Sequence, residues 1–163
     1  MNQKKQMIII GMASLLSILF SACTKNNEIH KKVGDFIIQP DAIDEICVYL
    51  YQEQENIPLF ITTDINHIQK ITSAVSGINV KKLSKQEDID FMEHGQRMLQ
   101  NDILFVDFKT KDNSCCLIAI WQDGIIYIVD IISMKSSSRT ISYKSLDSYP
   151  SIYTWLLSLH ENI

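Results

Sequence analysis

Asp64 and His67 are the two side chains whose spacing most directly suggests chemistry, since residues three apart lie on one face of a helix. A carboxylate and an imidazole in this arrangement can share a metal ion, but a zinc site needs three or four ligands. Glu93 and His94 are the nearest residues that could provide further metal ligands, and no regular spacing connects them to Asp64 and His67. We therefore expect Asp64 to cap a helix, His67 to lie on its surface, and no metal to be bound.

Carboxylates inside apolar segments are the second group of candidates. Asp107 and Asp130 interrupt apolar runs that are typical of β-strands. A buried carboxyl group has a raised pKa and can mark an enzyme site. We expect the more ordinary explanation, exposure at a strand end or a hydrogen bond. A further acidic group near the first predicted hairpin is expected to be solvated, with weak Ca²⁺ binding as the alternative. It comprises Asp44, Glu45, Glu53 and Glu55.

The chain has none of the short motifs that mark common catalytic or nucleotide sites. Gly-x-Ser-x-Gly, His-Glu-x-x-His, Cys-x-x-Cys and a Walker loop do not occur. The five glycines are scattered, so they form no loop that could hold a phosphate. The net charge of −4 argues against a nucleic-acid binder, which needs clustered Lys and Arg. These absences predict a protein that is not an enzyme, has no cofactor and binds no nucleic acid.

The N-terminal 22 residues differ from the rest in composition. A basic head, Met1 to Lys5, precedes an apolar run of 14 residues, Met7 to Phe20. A membrane-spanning helix needs about 20 apolar residues, so the shorter run fits the apolar region of a secretory signal peptide.

The apolar run ends at Leu19-Phe20-Ser21-Ala22-Cys23, which resembles the lipobox of bacterial lipoproteins, with Phe20 where that family usually has Leu. The resemblance implies a diacylglycerol on the Cys23 thiol and cleavage just before it by signal peptidase II. We therefore predict a signal peptide over 1–22 and a protein anchored in membrane lipid through Cys23, on the extracytoplasmic face of the cell membrane. Two acyl chains hold a protein firmly on a bilayer, whereas one binds marginally. The alternatives are an ordinary secretory peptide followed by a chance Cys, or an uncleaved anchor.

Cleavage before Cys23 would change the charge and the cysteine count. It removes Lys4 and Lys5, leaving 13 basic against 19 acidic residues and a formal charge of −6. Three cysteines remain for the domain: Cys47, Cys115 and Cys116. An odd number argues against a disulfide framework, and small buried thiols are the expected role. A bridge from Cys47 to one of the other two is the alternative.

Residues 23–33 are predicted to be a lipidated Cys and flexible tether, followed by one α+β domain over 34–163. The sheet is predicted to be mostly antiparallel, with two main helices at about 64–76 and 149–160. Ser84 to Asn101 is open between helix and loop, although a capping box begins it. The predicted strands are Ile43 to Tyr51, Leu59 to Thr62, Ile78 to Leu83, Ile103 to Lys109, Cys115 to Trp121, Ile125 to Ile132 and Arg139 to Tyr143.

Asp112-Asn113 and Asp123-Gly124 are hairpin signals, and two-residue turns there define the strand register. One face would then carry Leu104, Val106, Phe108, Leu117, Ala119, Trp121, Ile126 and Ile128. The other would carry Phe105, Ile118, Ile120, Tyr127, Val129 and Ile131. An antiparallel sheet with one wet face alternates apolar with polar residues, and this sheet does not. Either the domain covers both faces, which we expect, or one face awaits a partner.

Residues 40–160 resemble the small lipoproteins of Gram-positive, Bacillus-type bacteria that carry a YhfM-like domain. The similarity lies in a strand Ile46-Cys47-Val48-Tyr49, an Ile-Thr-Thr-Asp entry to an Ile-spaced helix, a hairpin-rich sheet, and Tyr143-Lys144-Ser145-Leu146 before a Leu-rich helix. The usual Pro-Asp-Tyr lead into the central sheet is replaced by Leu99-Gln100-Asn101-Asp102. The resemblance implies an extracytoplasmic lipoprotein without an assigned activity, and it supplies no catalytic residues.

We predict from these features a membrane-anchored, non-catalytic module that binds an unknown protein or small molecule. A cell-envelope hydrolase with Asp107 or Asp130 near a His is the first alternative. A structural homodimer that pairs apolar sheet faces is the second. An exposed apolar patch or pocket on the folded domain would favour the binding hypothesis.

Overall fold

The computed structural model describes residues 30–37, 40–52, 55–94, 96–97, 102–111, 114–130 and 141–160. Cys23, the predicted signal peptide over 1–22 and most of the predicted tether lie outside these residues. Within them, no helix is long and apolar enough to cross a lipid bilayer.

The described residues form one antiparallel sheet and three helices, which confirms the α+β prediction. The strands are β1 His30–Lys32, β2 Glu45–Gln52, β3 Glu55–Thr62, β4 Asn79–Lys82, β5 Ile103–Lys109, β6 Ser114–Ile120, β7 Ile126–Val129 and β8 Ser142–Ser145. The helices are α1 Ile65–Ser76, α2 Lys85–Ile89 and α3 Pro150–His160, and α2 continues into a π-helical turn at Asp90–His94. Short 3₁₀ turns occur at Val33–Asp35 and Pro40–Ala42.

The domain begins earlier than predicted, because residues 30–33 are not tether. β1 pairs with β4, with Lys31 opposite Val80, and Val33 is fully buried. The sequence pattern missed this because a strand of three residues is too short to show periodicity.

The two main helices lie close to their predicted positions and cover one side of the sheet. The Asp64 carboxylate accepts hydrogen bonds from the backbone N–H groups of Asn66 and His67, at 2.8 and 3.1 Å, and so caps α1. The face of α1 that packs on the sheet carries Ile68, Ile71, Thr72 and Val75. α3 begins at Pro150, where a missing N–H costs nothing, and buries Tyr153 and Leu156.

The strand order is β1-β4-β8-β7-β6-β5-β2-β3. The strands β5 to β8 follow one another in the chain and are also neighbours in the sheet, where β4 flanks them on one side and β2 on the other. The connection between the predicted strands Ile43 to Tyr51 and Leu59 to Thr62 is shorter than expected, because β3 already begins at Glu55, opposite Gln52. β3 is an edge strand and contains Pro58, which lacks the N–H that a further strand would need. This edge is therefore poorly suited to pairing with a second copy.

The predicted register of β6 is wrong by one residue on both sides. Ile120 lies opposite Ile126 and Leu104, and Ile118 lies opposite Ile128 and Val106. A slip of one residue moves every side chain of a strand to the other face. Ile118 and Ile120 therefore face the helices, whereas Leu117, Ala119 and Trp121 face away from them.

Gly124 explains the slip of β6 relative to β7. Its φ is +81°, its N–H donates to Trp121 O at 2.8 Å, and Trp121 N–H donates to Ile125 O at 3.1 Å. The connection is a three-residue loop with a left-handed Gly, where a two-residue turn was predicted. On the other side of β6, a register shift between Phe108 and Lys109 lengthens the connection to β5.

Candidate binding groove

The two faces of the sheet are covered differently. The inner face, which packs against α1 and α3, forms the main core with Ile46, Val48, Val106, Phe108 and Ile118, all fully buried. The opposite, outer face is also apolar. In the part of the chain that the structure describes, α2 and its π-helical turn cover only one end of it. No other described residue covers the remainder of the outer face, which is also apolar.

That surface is concave and forms a groove of about 710 Å³, which we call the outer groove. Its lining is largely aromatic and aliphatic, with Asp107 as its single charged residue among those described. It is lined by Tyr49, Tyr51, Asn56, Met92, Ile103, Phe105, Asp107, Leu117, Ala119, Trp121, Tyr127 and Val129.

Period-two alternation along the strands brings these residues together, because alternate side chains of a strand point to the same face. Tyr49 and Tyr51 come from β2, Phe105 and Asp107 from β5, and Leu117 from β6. Tyr49 lies opposite Phe105, and Asp107 lies opposite Leu117. The floor of the outer groove is therefore carried by hydrogen-bonded strands, which hold it rigidly.

The closed end of the outer groove is an aromatic cluster under α2. Phe91 meets Trp121 edge to face, with ring centroids 5.3 Å apart, and stacks on Tyr127 at 5.7 Å. Ser84 and Glu87 form the predicted capping box at the start of α2. The segment that the sequence left open is thus helical over 85–94.

A buried hydrogen-bond network joins α2 to the sheet. The Tyr127 hydroxyl donates to Asp88 Oδ1 at 2.8 Å, and Ser142 Oγ lies 2.8 Å from the same hydroxyl. Burial raises the pKa of Tyr127 to about 12. The network fixes the wall of the outer groove.

Arg97 closes the same end from the loop after α2. Its guanidinium lies 5.1 Å from the Phe91 ring centroid and 5.8 Å from that of Trp121, and it forms an ion pair with Asp123 at 2.7 Å. Trp121 Nε1 donates to Arg97 O at 3.2 Å. The Arg97 guanidinium and the hydrogen bond to its carbonyl oxygen therefore hold Phe91 and Trp121 in place.

Asp107 lies at the opposite, polar end of the outer groove. It is half-buried, and Ser114 Oγ donates to its Oδ1 at 2.5 Å. The sequence singled out Asp107 as a carboxylate in an apolar strand, and the structure places it in the groove lining. Asp130, the second such carboxylate, follows β7, and its backbone N–H donates to Ile141 O.

Beyond Asp107, the polar end contains a compact charge cluster. Lys109 Nζ donates to Glu45 Oε1 and to Cys47 Sγ, both at 3.0 Å. These two contacts raise the pKa of Lys109 above its usual value, and hydrogen bonds from Cys47 and Lys109 lower the pKa of Glu45. The charge of Lys109 is therefore already paired.

The remaining acidic candidates are dispersed. Asp64 caps α1 as predicted, and the described residues contain no group of three or more His, Cys, Asp or Glu close enough to hold a metal ion. The predicted acidic cluster does not form, since Glu45 begins β2 while Glu55 pairs with its last residue, about 23 Å away. Glu53 and the side chains of Glu55 and His94 lie outside the described residues.

No disulfide joins the three domain cysteines, Cys47, Cys115 and Cys116, all of which lie in the described residues. Cys47 lies on the outer face, whereas Cys116 is buried in the inner core, where burial raises its thiol pKa to about 12. The alternative of a bridge from Cys47 to Cys115 or Cys116 is therefore wrong, since none of the three forms a disulfide and the sheet separates Cys47 from Cys116.

The sequence did not indicate that Asn56 and Met92 line a groove, and it did not predict that Ala119 pairs with Tyr127. Asn56 lies between two predicted strands, and the predicted register puts Ala119 and Tyr127 on opposite faces. The one feature of the sequence that could have indicated a groove was the apolar character of both sheet faces.

No family model, curated protein or solved structure matches this chain.

Proposed function

We propose that this protein is an extracytoplasmic lipoprotein, anchored through a diacylglycerol on Cys23, whose domain binds an apolar ligand in the outer groove and does not catalyse a reaction. The leader supports the first part, because a basic head, a short apolar run and Ser-Ala-Cys occur in the order of a lipobox. The pattern of residues 40–160 supports a place among the YhfM-like lipoproteins.

The outer groove carries the binding part of the proposal. Small-molecule sites are concave, roughly 300–1,000 Å³ in volume, mostly apolar, and contain a few convergent polar groups. The outer groove has about 710 Å³, an aromatic and aliphatic lining, and Asp107 and Asn56 as its polar groups. Its floor is formed by strands and its closed end is held by hydrogen bonds, so it needs little ordering when a ligand enters.

A groove-filling substitution tests this function. Ala119 lies on the floor between Phe105 and Tyr127, so Ala119→Leu should project into the outer groove and weaken binding of 4-butylbenzyl alcohol about tenfold, equivalent to about 1.4 kcal/mol. Binding is measured from Trp121 fluorescence in full-length protein in lipid nanodiscs. Trp155→Phe is present throughout, because the chain has two Trp residues.

Ala74→Leu is the matched control, since it makes the same change on α1, away from the outer groove. It should leave the affinity unchanged, and empty nanodiscs correct for partitioning into lipid. If neither the alcohol nor its ammonium and carboxylate analogues alter Trp121 fluorescence, the binding function is wrong.

The lipid anchor has a separate test. Cys23→Ala removes the only thiol that the lipobox can present, so the protein should lose labelling by radioactive palmitate and retain residues 1–22. Cys115→Ala should be labelled and processed normally. Labelling and normal processing of the Cys23→Ala protein would contradict the anchor.

A further inference from the structure

We infer that the ligand of the outer groove is an amphipathic organic cation, with an apolar body on the aromatic floor and a positively charged head paired with Asp107. This inference rests on the proposed binding function and specifies the chemistry of its ligand.

The first argument is charge complementarity. Asp107 is the one charged residue that lines the described groove, and it stands at one end of a mostly apolar surface. Ser114 donates to one of its oxygens, Oδ1, so the carboxylate retains acceptor capacity for a ligand. A charged partner makes such hydrogen bonds about twice as strong as a neutral partner does.

The second argument excludes an anionic head. The nearest cation along the strand is Lys109, which already donates to Glu45 and Cys47. At the closed end of the groove, the Arg97 guanidinium is paired with Asp123, and Lys144 Nζ lies 5.2 Å from the centroid of the Phe91 ring. No described Lys or Arg lines the outer groove, so a carboxylate or phosphate would meet Asp107 without a compensating charge.

The third argument is the lining itself. Tyr49 and Phe105 lie on neighbouring strands next to Asp107, and further along the groove Tyr51 meets Phe105 edge to face at 6.2 Å. The faces of such rings attract cations. The same rings provide apolar surface for the body of the ligand, so both parts of an amphipathic cation are accommodated.

Three probes with one apolar body separate these contributions: 4-butylbenzylammonium, 4-butylbenzyl alcohol and 4-butylbenzoate. Each is titrated into the full-length Trp155→Phe protein in nanodiscs, with Trp121 fluorescence as the readout. The ammonium should bind about tenfold more tightly than the alcohol, and the benzoate more weakly than either. Asp107→Asn should remove the preference for the ammonium over the alcohol.

Asp147→Asn is the control, because it removes the same charge from an exposed residue that does not line the groove. It should preserve the preference for the ammonium. Equal binding of ammonium and alcohol, or tightest binding of the benzoate, would overturn the cation while the binding function stands. A preference that survives Asp107→Asn would overturn the role of Asp107. If no probe binds, the cation inference and the binding function both fall.

Discussion

Replacing Ile118 with Ala should lower the free energy of unfolding by about 4 kcal/mol, whereas the same change at its neighbour Leu117 should cost about 1 kcal/mol or less. Ile118 is fully buried in the inner core between Val106 and Ile128. Its truncation removes apolar contacts and leaves a cavity that the sheet and helices cannot close. Leu117 lies on the outer face and is 37% exposed.

Urea unfolding of both variants, followed by tryptophan fluorescence, measures the difference. The two substitutions remove side chains of similar size from adjacent positions, so each serves as the control for the other. If Leu117→Ala proves the more damaging, the register of β6 would be the one predicted from two-residue turns, and the lining of the outer groove would be wrong.

Gly124→Ala should cost about 3 kcal/mol. A left-handed φ of +81° disfavours a side chain by about 1 kcal/mol. The added methyl group would also overlap backbone atoms of Tyr149 and Pro150, and overpacking of this kind costs about 1–3 kcal/mol. Tyr149 N–H donates to Gly124 O at 2.9 Å, so the strain would reach the start of α3.

Gly77→Ala provides the comparison for Gly124→Ala. Gly77 ends α1 with a right-handed φ of −77°, and an added methyl group would meet nothing within 4 Å. Ala at this position should be neutral or stabilising by about 0.4–1 kcal/mol, because it restricts the unfolded chain. Similar urea midpoints for the two variants would contradict the close contact between the loop at Gly124 and the start of α3.

The consequences of Gly124 extend to the groove. The three-residue loop that it permits places Trp121 and Ala119 on the same face as Tyr127 and Phe105. A two-residue turn would have buried Trp121 against α3 and exposed Ile118 and Ile120. The conformation of Gly124, together with the shift after Phe108, thus determines which aromatic residues line the outer groove.

Asp107 shows how far a candidate site could be identified from the sequence. A carboxylate in an apolar strand was a recognisable anomaly, but its neighbours were not predictable. Ser114 reaches it through the register shift between Phe108 and Lys109, and Tyr49 reaches the same region through the pairing of β2 with β5. Both depend on backbone geometry that no local pattern encodes.

The sequence by itself determined the elements whose signals are local. The cap at Asp64, the spacing of Ile68, Ile71 and Val75, and the capping box at Ser84 each act within one or two helical turns, and all are present in the structure. The apolar character of both sheet faces was also apparent, since it holds in either register.

Only the tertiary structure decided the register of β6, the order of the strands and the location of the outer groove. The physical reason is that a sheet with two apolar faces has no polar face to penalise a slip of one residue, so hydrophobicity cannot select the register. That selection came from the left-handed φ of Gly124, the shift after Phe108, and the packing of α1 and α3 against a single face.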